Sequence, residues 1–158
     1  MMGYKINNIN KIFLLTIITF IFSCTNTLKE NLVEFIENNC NFENNVGCEL
    51  DLNKFVKEKF NRIYIFGETT TNEEISKIIG VKYRGKYISD SKYRIVFLMN
   101  HRIVFEEDFE EDFFEFERSD KKIYHGLVYR FYNTSKFVIV KVGNNKNKLF
   151  YKLKPIIR

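Results

Sequence analysis

Leu28, Leu32, Val33, Phe35 and Ile36 recur at near-helical spacing, with Lys29, Glu30, Glu34 and Glu37 between them. A stripe of that period has one face to bury, so the spacing predicts a helix from about Leu28 to Asn38. Arg62 to Phe66 is a β-branched and aromatic run stopped by Gly67, and it predicts a strand. Between them, Asp51 to Phe60 supports two readings. Leu52, Phe55, Val56 and Phe60 suit a short helix, whereas Leu50 and Leu52 suit the start of a strand. A second helix is better punctuated. In Thr71-Asn72-Glu73-Glu74 the Thr71 hydroxyl reaches the Glu74 amide while the Glu74 carboxylate reaches back, a capping box. Ile75, Ile78 and Ile79 then share a face, and Gly80 supplies the left-handed stop.

From Tyr93 onward the period changes to that of strands. Tyr93 to Met99 and Arg102 to Glu106 flank Asn100-His101, a two-residue hairpin turn, because Asn tolerates positive φ. Asp112 to Arg118 alternates Phe with Glu. Ile123 to Tyr132, Phe137 to Val142 and Lys148 to Leu153 follow, divided by polar turn clusters. The predicted class is α+β, with N-terminal helices packed on a mainly antiparallel meander sheet.

The N-terminus has a different pattern. Met1 to Lys11 is polar and carries Lys5 and Lys11 with no acid; Ile12 to Phe22 is an uncharged run of 11 residues, followed by Ser23 and Cys24. A positive segment, an apolar segment and a small residue at the cut form a secretory signal. As a helix the apolar run spans about 16 Å, well short of the ~30 Å hydrocarbon core, so a permanent membrane span is not expected. The expected organisation is a signal over 1–23, a short N-terminal tether over 24–31, and one domain over 32–158.

Composition narrows the reading. Without residues 1–23, 135 residues remain, enough for one domain with a real core. They carry 23 basic and 20 acidic side chains, a net charge of +3, too mild to point to nucleic acid. The chain lacks Ala, Gln and Trp and is rich in Asn, Lys, Ile, Phe and Tyr. All five have AT-rich codons, and base composition explains much of that bias.

Ile21-Phe22-Ser23-Cys24 resembles the lipobox of bacterial lipoproteins. That resemblance implies that Cys24 carries a diacylglyceryl thioether and that its freed amine takes a further acyl chain; two or more chains anchor firmly. An ordinary secreted protein is the competing reading. Cys40 and Cys48 then remain. An even pair in an oxidising compartment suits a disulfide worth roughly 2–3 kcal/mol, and no neighbouring His or Cys completes a zinc site. Phe60 to Gly67, Thr69 to Thr71, the helix ending at Gly80 and the hairpin at Tyr93–Glu106 together look like a segment of small uncharacterised bacterial lipoproteins. Phe60 stands where those carry Trp, and Glu68-Thr69 where they carry Pro-Tyr. The resemblance implies no activity.

Candidate chemistry is sparse. Glu106 to Glu117 holds 8 carboxylates in 12 residues. No Gly or Asn bends it into a calcium loop, so no metal is expected there. A charged strand edge is the plain reading. Glu106, Glu107, Asp108, Glu110, Glu111 and Asp112 are the candidate contacts for a protein partner. Lys82, Tyr83, Arg84, Lys86 and Tyr87 interleave base with aromatic, a pattern that fits single-stranded nucleic acid, but export argues against that ligand. Acidic polysaccharide, lipid head groups or an acidic protein fit an exported chain better, and an ordinary exposed segment better still. His101 and His125 have no Ser, Cys or Asp motif beside them. The expectation is therefore a non-enzymatic, lipid-anchored envelope protein without cofactor, facing the periplasm from the outer membrane. It would bind another protein, as an immunity or inhibitor protein does. An envelope enzyme and a binder of small lipophilic ligands are the alternatives.

Overall fold

The structure is a computed structural model and describes residues 26–42, 47–110, 114–117, 121–124, 127–145 and 148–156. Helix α1 runs over Leu28–Asn39. Strand β1 (Cys48–Asp51) leads into a single 3-10 turn at Leu52–Lys54, which divides the ambiguous stretch between the two readings. Strand β2 (Arg62–Phe66) and helix α2 (Asn72–Ile79) fall where the pattern puts them. The remaining strands are β3 (Lys92–Met99), β4 (Arg102–Glu110), β5 (Phe114–Phe116), β6 (Lys121–Tyr124), β7 (Leu127–Tyr132), β8 (Lys136–Asn145) and β9 (Lys148–Pro155).

The class is α+β and the pairing mostly antiparallel, but the strands divide between two sheets. One has the order β1-β8-β9-β5 and the other β4-β3-β2-β7-β6. Three adjacent pairs are hairpins, as a meander requires: β3 with β4, β6 with β7 and β8 with β9. The meander breaks elsewhere. β7 pairs with β2 and β8 with β1, while β5 runs parallel to β9. Ile123 to Tyr132, expected as one strand, is two: Tyr124 sits opposite Leu127 across the β6–β7 ladder. His125 and Gly126 between them lie outside the described residues.

Two apolar clusters explain this layering. Ile63 and Ile65 of β2 and Ile95 and Phe97 of β3 meet Phe137 and Ile139 of β8 and Leu153 of β9, so the two sheets share one core. The alternate residues Tyr64, Phe66, Val96 and Leu98 face the other way, against Ile75 and Ile79 of α2 with Tyr83 and Ile88. β2 and β3 are therefore buried on both faces, which is why they read as unbroken apolar runs. The aromatic abundance goes into the first cluster, where Phe116 packs edge-on against Tyr93 and Phe137 with ring centroids 6.2 and 5.7 Å apart.

Helix α1 supplies Leu28, Leu32 and Ile36 to the shared core. Thr27 caps it: its hydroxyl accepts from the Glu30 amide, and the Glu30 carboxylate accepts from the Thr27 amide. Because the helix opens at Leu28, any tether after Cys24 is shorter than the 24–31 expected. Thr71 and Glu74 form the same box on α2, and Gly80 ends that helix at φ 74°.

Candidate functional site

β4 lies at the edge of its sheet and carries the first carboxylates of the acidic run. Alternation along a strand sends neighbours to opposite faces. On one face the Glu107 carboxylate accepts from the Leu28 amide at 2.8 Å and the Lys29 amide at 3.1 Å. It thereby satisfies orphan donors of the first turn of α1 and complements the positive end of its dipole. Glu110, the last residue of β4, pairs from the strand's end with Lys29 at 2.6 Å. On the other face Asp108 holds Arg94 through two bonds, from Nε at 2.5 Å and Nη2 at 2.8 Å.

Arg94 is 3 % exposed and spends its remaining donor, Nη1, on the Tyr83 hydroxyl at 2.7 Å and the Lys86 carbonyl at 2.5 Å. The Asp108 carboxylate holds the guanidinium's pKa above its usual range, against burial and with help from Tyr83. Burial, then Glu106, push the Tyr83 hydroxyl up to about 12. Gly85 completes the cluster, for a Cβ there would overlap the Tyr83 hydroxyl and crowd Arg94. The 83–86 segment is thus clasped to the sheet by hydrogen bonds from the buried Arg94, which Asp108 holds in place.

The sequence candidates therefore separate. Glu107, Asp108 and Glu110 are engaged within the fold, and Glu106 faces Tyr83. Glu111 and Asp112 lie outside the described residues, as does Cys24. In the basic segment Tyr83 is buried, whereas Lys82, Arg84, Lys86 and Tyr87 are exposed. His101 is exposed in the β3–β4 turn. Cys40 and Cys48 form a disulfide with a Cα–Cα distance of 5.4 Å. It ties the end of α1 to β1. Since α1 begins on β4, the helix links edge strands of the two sheets.

One surface was missed in the sequence. An open groove of about 470 Å³ is lined by Asn53, Val56, Lys57, Glu58, Lys59, Phe60 and Met99. A second hollow of about 400 Å³ continues it past Arg102 and Val104. Val56 and Phe60 reach it from the core, and Met99 is 37 % exposed. Among the described residues Lys57, Lys59 and Arg102 enter no ion pair. The walls are stiffened by Asn61. Its amide donates to Leu98 O at 2.9 Å, and its side chain exchanges bonds of 3.2 and 3.1 Å with Asn100, the turn residue at φ 55°. The basic residues come from two strand-distant segments, so no linear motif announces them.

Among the described residues no three His, Cys, Asp or Glu side chains are grouped to hold a metal ion, and no helix is long and apolar enough to cross a membrane. Comparison of the chain with family models, with curated proteins and with solved structures finds no match.

Proposed function

We propose that this chain is a lipid-anchored protein of the bacterial cell envelope whose domain acts by binding another protein, in the manner of an immunity or inhibitor protein. The observation that carries the anchoring is the position of Cys24. It follows an 11-residue apolar segment with only Ser23 between them, and stands three residues before Thr27, the cap of the first helix. A cysteine there suits lipid attachment and leaves almost no linker between membrane and domain. Binding is favoured by an exposed groove in which apolar side chains sit beside unpaired cations.

Cells fed labelled palmitate test the anchor. The wild-type protein is expected to take up label and to lose it in the Cys24→Ser variant; globomycin is expected to leave the longer precursor. A wild type that never takes up palmitate overturns the anchor. For binding, crosslinking and affinity recovery of the tagged protein from its native envelope should yield one specific partner. Recovery of none, with turnover of a wall or lipid substrate by the pure protein, overturns it.

A further inference from the structure

We infer that the groove beside the β3–β4 turn is the partner-binding face, and that it takes an acidic protein segment presenting an apolar side chain between carboxylates. This rests on the protein-binding reading above and names the surface and the partner chemistry. Lys57, Lys59 and Arg102 surround the exposed Met99 over a floor of Val56 and Phe60. Among the described residues Glu58 is the one carboxylate on the walls, against three cations. Cations without ion pairs favour an anionic partner by charge complementarity. The apolar floor favours a polypeptide over a bare polyphosphate or polysaccharide, since only the former brings a side chain to bury there.

Two further observations agree. The Asn61–Asn100 bridge fixes the turn before anything binds, so little ordering entropy opposes docking. The groove also lies at the opposite end of β4 from the chain's point of entry. Arg102 begins that strand, and Glu107, which holds the first amides of α1, is five residues on, about 17 Å away at ~3.4 Å per residue. An anchor before α1 would therefore set the groove about 17 Å along β4 from the end held near the membrane.

Met99 is the one methionine beyond Met1 and Met2, so a methyl-labelled methionine is a direct reporter of the groove. The full protein, purified from its envelope in detergent, is titrated with a synthetic octapeptide of glutamates interrupted by one leucine and one phenylalanine. The Met99 methyl resonance is expected to shift saturably. Arg102→Glu and the double variant Lys57→Glu/Lys59→Glu should each weaken binding at least tenfold while the circular dichroism spectrum is retained. A methyl that does not move, or an affinity indifferent to both variants, overturns the inference. Equal affinity for inorganic polyphosphate overturns the protein-segment assignment in favour of a polyanion.

A photo-crosslinker at position 99 or at Glu73, an exposed residue of α2, separates this inference from its premise in the native envelope. An adduct from position 99 supports both. An adduct from position 73 alone leaves protein binding standing and overturns the groove, and adducts from neither overturn both.

Discussion

At the scale of single residues, Arg94 organises the layer outside the second sheet. Its side chain is 4 % exposed against 30 % for Asp108. That asymmetry makes the two halves of the pair unequal under mutation. Asp108→Ala leaves a buried guanidinium without its counter-ion, for which about 3–5 kcal/mol of destabilisation is expected. Arg94→Met removes the buried charge itself and lets Asp108 turn to water, so its cost should be smaller. Urea unfolding of both variants decides this: an Arg94→Met protein less stable than Asp108→Ala contradicts the assignment. The pair also shows where sequence reading runs short. The carboxylates at 106–112 were legible as a charged strand edge, and β4 is an edge. Which of them face inward was not legible, because the partners of Glu107 and Asp108 lie 79 and 14 residues away.

At the scale of elements, local signals were read well and long-range pairing was not. Thr71, Glu74 and Gly80 define α2 within ten residues, and Asn100 sets the β3–β4 turn; each needs only its neighbours. The split of Ile123–Tyr132 into two strands was missed, because the apolar residues on either side read as one continuous run. The pairing of β7 with β2 and of β8 with β1 depends on which faces the core covers, and no local period records that. Capping carries a pH consequence. The Thr71 amide and hydroxyl hold the Glu74 carboxyl below its usual range. At Asp51 burial pushes the carboxyl up, but bonds from Ser135 and Asn53 and the charge of Lys136 outweigh it. A depressed folded pKa adds stability above the unfolded value and loses it as pH falls through the folded one. The urea midpoint should therefore drop from about pH 5 to about pH 3, and Glu74→Gln should flatten part of that drop. An unchanged acid limb in that variant removes Glu74 from the account.

At the scale of the whole molecule, the fold gives the proposed anchor a direction. Glu107, Glu110 and Lys29 gather where α1 starts, and Lys57, Lys59 and Arg102 gather at the other end of β4. Along β4, therefore, the carboxylates that hold α1 stand apart from the cations of the groove. Between Cys24 and the capped first turn stand only Thr25, Asn26 and Thr27, which reach about 10 Å when extended. If Cys24 carries lipid as proposed, a tether that short would hold one end of the domain against the headgroups. The chain contains no tryptophan, so Asn26→Trp and Met99→Trp each introduce a single tryptophan whose emission can be excited apart from the tyrosines. In vesicles containing brominated phospholipid, with the lipidated protein incorporated, the Asn26→Trp emission should be strongly quenched and the Met99→Trp emission nearly untouched. Equal quenching of the two would mean that the domain lies flat, with its groove against the bilayer. An acidic partner segment would then have to reach the groove through the headgroup layer, and the assignment of that face to a soluble partner would fail with the orientation.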